Sequence, residues 1–292
     1  MRRLRLQSAM EYLMTYGWAI LIIAVVLGAL FQLGVFNSAT FAPRAAPGSC
    51  QTLRPDGPGS ISNINLEGIC NGELPQYVDL STHGNVTASV SLLPTGASTV
   101  TATLWFEENV ASGGYYGPYL FQYGGVQTNG CNTAFGLFVG NNLETDNECT
   151  NVGVGSVRVT PNVWYFAAIR YDGSTVGIFI GSGGSLANNS ATVSLNVAKT
   201  PFVIGSDSYT WSNSGQFPGS LANVQVYNTS LTANEINYLY TEGIGGAPIN
   251  LQHLVGWWPL NGNANDYSGN NNNGVPNGVT YTNQWLSGYT PP

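Results

Sequence analysis

Charge is what this 292-residue chain has least of: only 8% of its residues are Asp, Glu, Lys or Arg, against about 25% in an ordinary soluble domain. That scarcity excludes a coiled coil and a charge-driven disordered tail, both of which are built on dense Lys, Glu and Arg. Basic residues are scarcer still, eight against 15 acidic ones, and three of the eight are Arg2, Arg3 and Arg5. Nucleic acid is thereby excluded as a partner, because displacing counterions from phosphates needs a basic patch. Without those three arginines the remainder has a net charge of about −10 and a single lysine, Lys199. Motifs of catalysis are missing too: there is no His-Glu-x-x-His and no Gly-x-Ser-x-Gly. The two histidines, His83 and His253, are far apart and no Cys-x-x-Cys occurs, which argues against zinc. Glycoside hydrolysis needs two carboxylates about 5 to 9.5 Å apart. The only adjacent acidic pair, Glu107-Glu108, would point to opposite faces of a strand, so the expectation is a protein that is not an enzyme.

What the chain does have is glycine (37 residues), tyrosine (16) and a long apolar stretch near its start. From Tyr12 to Phe36 no side chain is charged. Twenty-five helical residues reach about 37 Å, enough to cross a bilayer core of about 30 Å. The arginines precede this run, which predicts a cytoplasmic N-terminus and an extracellular body at the cell surface. A secretory signal peptide has a shorter apolar region with a small-residue cleavage site, and this run is too long for one. The expected organisation is a basic leader over 1–6, a hydrophobic membrane helix over 7–36, a Pro- and Gly-containing linker over 37–49, and a body over 50–292.

The segment Gln7-Ser-Ala-Met-Glu11-Tyr-Leu resembles the processing region of archaeal type IV pilin-like proteins, with their class III signal peptides. The resemblance implies that a prepilin-type peptidase cuts between Leu6 and Gln7, with Leu6 standing where the family usually has Gly. Glu11 then becomes the fifth mature residue, where the family keeps a glutamate. A carboxylate at the edge of an apolar helix is costly in lipid. In a filament its partner would be the freed α-amino group of a neighbouring subunit, so self-assembly through this helix is implied. The alternative is a plain single-pass anchor that never assembles, with Glu11 among the lipid headgroups.

Four cysteines follow: Cys50, Cys70, Cys131 and Cys149. An even count in an exported domain suggests two disulfides. Three connectivities are open, of which Cys50–Cys70 with Cys131–Cys149 is the simplest, each bridge contributing roughly 3 kcal/mol in the chain-entropy model.

The body reads as short β-prone runs split by turn residues, the pattern of an all-β sandwich. Thr87–Leu93 and Val100–Phe106 come first. Val163–Tyr171 and Thr175–Ile180 flank Asp172-Gly173, which supplies the positive φ of a hairpin turn. Ala222, Val224 and Val226 alternate with Asn223, Gln225 and Tyr227, predicting a strand with one buried face. One helix interrupts the strands: Thr232-Ala-Asn-Glu235 is a capping box, Leu231 and Ile236 form its hydrophobic staple, and Gly243 ends it.

The run Trp164-Tyr-Phe-Ala-Ala-Ile-Arg-Tyr-Asp-Gly-Ser-Thr-Val-Gly-Ile-Phe-Ile180 resembles a strand pair of the laminin-G-like, concanavalin A-like lectin/glucanase jelly roll. Phe217–Ile236 resembles the closing strand and following helix of that family, and Gln76–Leu80 an early strand. The resemblance implies two curved antiparallel sheets and a lectin-like role in adhesion or carbohydrate binding. The Glu-x-Asp-x-Glu strand of the glucanases is absent. The family's usual opening segment is matched by Leu254–Asn270, so 254–283 is expected to return as a permuted first strand. Insertion into a neighbouring subunit, or a remnant of a second repeat, are the alternatives. Family members often hold a structural calcium. Asn261, Asn263 and Asp266 are oxygen donors of the right kind, with Asn223 on the closing strand where acidic residues are common. Exposed loop aromatics stack on sugar faces, which makes Tyr115, Tyr116 and Tyr119 in one Gly-rich loop, and Tyr209 and Trp211 in another, the candidate glycan contacts. Asn85-Val-Thr, Asn188-Asn-Ser and Asn228-Thr-Ser are N-glycosylation sequons.

Overall fold

The computed structural model describes residues 4–32, 77–80, 84–111, 117–125, 133–145, 152–182, 184–208 and 215–282. The four cysteines, the linker and the side chains of Leu6, Gln7 and Glu11 lie outside the described residues. The chain divides into two compact units, the N-terminal helix belonging to one and the residues from Leu74 onward to the other.

In the first unit, helix α1 spans Leu4–Gln32. Its described side chains, Met14 and residues 16–29, are all exposed, including Trp18, Ile22 and Val25. A helix that is apolar all round has no polar face to turn to water. Among the described residues no helix is long and apolar enough to cross a membrane.

The second unit is a sandwich of two antiparallel sheets, as the residue pattern predicts. Strands β1 (Tyr77–Asp79), β2 (Asn85–Ala88), β3 (Val100–Glu108), β4 (Tyr119–Tyr123) and β5 (Phe135–Val139) are followed by β6 (Asn142–Thr145), β7 (Val152–Arg158) and β8 (Trp164–Tyr171). Then come β9 (Thr175–Ser182), β10 (Ser185–Thr192), β11 (Phe202–Ile204), β12 (Gly219–Tyr227), helix α2 (Ala233–Glu242), β13 (Leu254–Trp258), β14 (Gly274–Asn277) and β15 (Thr280–Thr282). The first sheet runs β10-β9-β8-β3-β12-β1-β15, with β13 also on β12; the second runs β14-β2-β11-β4-β5-β6-β7.

Alternation builds the core. Leu104 and Phe106 of β3, Tyr165, Ala167 and Ile169 of β8, and Ile178 and Ile180 of β9 meet Phe121 and Tyr123 of β4, Leu137 of β5 and Phe202 of β11 between the sheets. The intervening residues Trp105, Trp164, Phe166 and Phe179 face away from that core. They form a second cluster with Ile236, Leu239 and Tyr240 of α2. Trp105 stacks on Tyr240 at 5.9 Å and meets Phe166 edge-on at 5.4 Å.

Two local expectations hold in detail. In the β8–β9 turn Gly173 has φ +102°. There Asp172 Oδ1 accepts hydrogen bonds from the Ser174 and Thr175 amides at 2.9 and 2.8 Å. These bonds hold the Asp172 carboxyl below the usual carboxylate range. At α2, Thr232 Oγ1 accepts from the Glu235 amide and Glu235 Oε2 accepts from the Thr232 amide, 3.3 and 2.7 Å, while the staple residues Leu231 and Ile236 are fully buried.

Two expectations need correction. The run Thr87–Leu93 is strand only to Ala88; beyond it the chain turns, although Val90 and Leu93 stay buried. Strand β12 is buried on both faces, all nine residues of it. The polar residues predicted to face water are covered by Trp257 and the chain after α2. Tyr227 Oη donates to Gln225 Oε1 at 2.6 Å, Gln225 Nε2 to Asn223 Oδ1 at 3.0 Å, and Asn223 Nδ2 to the Gly246 carbonyl at 2.7 Å.

The C-terminal segment takes part in both sheets. β13 pairs with β12, β15 with β1, and β14 with β2. Trp258 is fully buried, stacks on Phe202 at 5.4 Å with the planes 11° apart, and donates from Nε1 to the Asn272 carbonyl at 3.0 Å.

Candidate functional site

The outer face of the second sheet, turned away from the shared core, holds the most unusual polar group of the sandwich. Strand β4 carries Gln122 between the core residues Phe121 and Tyr123, so alternation directs it outward. Across the sheet it stands between Val203 of β11 and Gly136 of β5. A Cβ on residue 136 would lie 2.6 Å from the Phe121 carbonyl oxygen and 3.0 Å from Gln122 Cγ; the glycine makes room for the amide. Gln122 is 0% exposed. Its Oε1 accepts from the Ser208 amide at 2.7 Å and the Ser208 hydroxyl at 2.8 Å. Its Nε2 has no partner among the described residues. A buried amide donor left without an acceptor costs about 1–3 kcal/mol, which is reason to ask what would satisfy it.

Its surroundings are acidic and aromatic. Asp207, next to Ser208, is half-buried; burial pushes its carboxyl above the usual range, against a weak hydrogen bond from the Ser206 hydroxyl at 3.4 Å. A bulge in β4 puts Tyr119 on the same side as Gln122, opposite Phe138 with ring centroids 5.6 Å apart. Phe138 in turn faces Glu144 of β6, whose carboxyl burial also raises. The exposed Arg158 lies across from Asn142 at the far edge. Gln122 and Ser208 meet directly, with Asp207 preceding Ser208 in the chain, so an amide, a hydroxyl and a carboxyl come from two neighbouring segments. That donor and acceptor set matches the hydroxyl groups of a sugar.

Of the aromatic candidates, Tyr115, Tyr116, Tyr209 and Trp211 lie outside the described residues. The segments holding them adjoin this patch in sequence, one ending just before β4 and the other starting at Ser208. Tyr119 is the exception, and it corrects the expectation: it is 7% exposed, packed on Phe138 rather than presenting a free ring face. Gln122, Asp207 and Ser208 were not singled out from the sequence. A glutamine inside the apolar run Tyr119-Leu-Phe-Gln-Tyr123 was the available sign.

The expected calcium donors are engaged elsewhere. Both carboxylate oxygens of Asp266 are occupied: Oδ1 accepts from the Trp257 and Ser268 amides, each at 2.9 Å, and Oδ2 from the Asn272 amide at 2.8 Å and the Ser268 hydroxyl at 2.9 Å. Asn263 Oδ1 accepts from the Asn265 amide at 2.8 Å. Asn223 sits at a bulge of β12 with φ 50°. Its Oδ1 accepts from Trp257 Nε1 at 2.8 Å as well as from Gln225. Asn261 is exposed and has its own interaction. Calcium takes six to eight oxygens with lone pairs to give. Asp266, Asn263 and Asn223, whose oxygens already receive N–H and O–H donors, do not fit it as a set. Among the described residues no group of three His, Cys, Asp or Glu side chains could hold a metal ion.

A carboxylate pair invisible in the linear sequence stands on the outer face of the first sheet. Asp79 of β1, Ser220 of β12, Glu107 of β3 and Trp164 of β8 are register partners in one row. Burial, with the Asp79 charge adding to it, pushes the Glu107 carboxyl up to about 7. Glu108 turns to the core side, as strand alternation predicts. Glu107 is only 7% exposed, and its row partner Trp164 belongs to the cluster packed against α2.

Residues 80–237, more than half of the chain, match the family model described as the concanavalin A-like lectin/glucanases superfamily, of laminin-G type. Among solved structures, a protein of Bacteroides ovatus described as a "putative carbohydrate binding protein" superposes with a TM-score of 0.54 at 17% identity, covering 76% of this chain and 66% of its own. A heptameric serum-amyloid-P-like pentraxin of Limulus polyphemus gives 0.47 at 14% identity, over 73% of this chain and 91% of its own. The CBM40 module of a Ruminococcus gnavus sialidase gives 0.40 at 15% identity, over 57% and 95%. Among curated proteins no sequence matches the chain.

Proposed function

The chain belongs to the concanavalin A-like lectin/glucanases superfamily, and we propose that its sandwich is a carbohydrate-binding module displayed outside the cell by the N-terminal helix. The observation that carries the binding half is the buried Gln122 amide donor, without an acceptor among the described residues, beside the half-buried Asp207 and Ser208. A sugar hydroxyl accepts from Gln122 Nε2 while a neighbouring hydroxyl donates to the Asp207 carboxylate. Asp207 and Glu144 on this face would repel a second negative charge when ionised, so the ligand is a neutral glycan rather than a sialylated or uronic one. The Bacteroides protein of the same fold, described as carbohydrate binding, supports the class of ligand.

The display half rests on the uncharged run from Tyr12 to Phe36 and on the exposed apolar side chains of α1. In this reading the uncharged run from Tyr12 to Phe36, which extends past the described residues of α1, anchors in the membrane, and a prepilin-type peptidase removes residues 1–6 so that Gln7 leads the mature chain. Glu11 then meets the α-amino group of a neighbouring copy. Residues 254–282 complete the same sandwich as its displaced opening strand, supported by their pairing in both sheets.

A glycan array probed with the full-length chain in detergent tests the binding half. Retention of neutral glycans over sialylated ones is expected, and no glycan bound at all contradicts it. Mass spectrometry of the mature N-terminus tests the other half: a start at Gln7 supports assembly from a processed precursor, whereas an intact Met1 leaves at most a plain anchor.

A further inference from the structure

The three sequons stand in three different settings. Asn85 is half-buried in β2, flanked by β14 on one side and β11 on the other. Asn228 is exposed, but its Oδ1 meets His253 Nδ1 at 3.0 Å and its amide donates to the His253 carbonyl at 2.9 Å. Asn188 differs from both. It lies in the middle of β10, at the end of the first sheet, and Asn188, Asn189 and Ser190 are all exposed. Among the described residues no strand of that sheet lies beyond β10. The neighbouring Asn189 Nδ2 donates to the Gly153 carbonyl at 2.8 Å, fixing which side of the sequon faces the sandwich. Asn188 pairs in register with Phe179, which puts it on the outer face of the sheet.

We propose that Asn188 is the glycosylated asparagine of this chain, and that its glycan covers the β10 edge against pairing with another sheet. The bond forms between Asn188 Nδ2 and the anomeric carbon of a lipid-linked oligosaccharide donor. The donor's phosphate leaves with the bonding electron pair, and Nδ2 gives up one proton. The acceptor must be approached by an enzyme along three successive residues, and at β10 all three are exposed. Asn85, half-buried and paired with Asn277 of β14, has no such approach. An edge strand also offers unpaired backbone N–H and C=O groups to other chains, a hazard that proteins blunt by charge, proline or a cover. Strand β10, Ser-Leu-Ala-Asn-Asn-Ser-Ala-Thr, has neither charge nor proline, so the cover is what remains.

This inference rests on the exterior placement of the body proposed above, and the two are separable. The full-length chain is expressed in cells that carry an N-glycosylation pathway, labelled at the surface with a membrane-impermeant amine reagent, and digested for glycopeptide mass spectrometry. The expected result is surface labelling with glycan on the Asn188 peptide. Asn188→Gln should remove that mass, keep the near-ultraviolet circular dichroism of the wild type, and shift detergent-solubilised protein toward larger oligomers. Asn85→Gln should leave the glycan mass unchanged. Surface-labelled protein with a bare Asn188 overturns the inference and leaves the exterior reading standing. Protein that is not labelled at the surface overturns both.

Discussion

The two outer faces of the sandwich are built on opposite plans. On the first sheet, Trp105, Phe166 and Phe179 are sealed by α2, and the polar groups of β12 satisfy one another through Asn223, Gln225 and Tyr227. On the second sheet, Gln122 keeps an amide donor without an acceptor among the described residues, next to carboxyls that burial has pushed upward. A satisfied buried network rigidifies a fold, whereas a partly satisfied one is costly and asks for a partner. One face is sealed by helix α2 and the other keeps an unsatisfied donor, and it is on the second that the ligand is proposed to sit.

Substitution at the sealed face should have the largest effect. Trp105→Ala removes a ring stacked on Tyr240 and should cost about 3–5 kcal/mol in urea unfolding, with glycan affinity unchanged wherever the protein remains folded. Loss of binding without loss of stability would erase the distinction between the faces.

The Glu107 carboxyl gives the next largest effect, this one through pH. Its folded value of about 7 lies above its ordinary 4.5, so the folded state holds a proton that the unfolded chain releases first. The resulting stability is whole below pH 4.5, falls as pH rises, and is gone above about 7. The change amounts to roughly 3 kcal/mol at most. Asp207 and Glu144 act in the same direction, whereas the lowered Asp172 loses its contribution only in acid. Melting temperatures from pH 4 to 8 should therefore decline, and Glu107→Gln should flatten most of that decline. A flat wild-type profile would show that Glu107 is well solvated.

How much of this was readable in advance depended on distance along the chain. The Asp172-Gly173 hairpin and the Thr232 capping box were legible because every group that makes them lies within a few residues, and each came out as expected. The burial of Asn223 and Gln225 was not, because Trp257 and Gly246 reach them from well outside the strand, and period-two alternation says nothing of a second cover. Asn223 was read as a metal position by its place on the closing strand; a bulge with positive φ, which asparagine tolerates, is what that place requires. The row of Asp79, Ser220 and Glu107 exists only once β1, β12 and β3 have paired. The Gln122 patch joins β4 to a segment more than eighty residues later, a pairing that no local pattern encodes.

Two smaller effects complete the contrast. Gln122→Met keeps the side-chain volume and removes both the unsatisfied donor and the acceptor of Ser208. These changes oppose each other, and the net stability change should stay under about 1 kcal/mol by thermal unfolding. Smallest of all, a chelator should leave the melting temperature where it was, because the Asp266 oxygens that a calcium ion would need already receive four hydrogen bonds. A fall of several degrees on adding the chelator would restore a metal to that loop.

The most direct measurement is a calorimetric titration of the wild-type chain and of Gln122→Met with a neutral glycan retained on the array. The account predicts that the variant binds at least about tenfold more weakly, a loss of about 1.4 kcal/mol, while its circular dichroism and melting temperature stay near those of wild type. Equal affinity in the two proteins would contradict it.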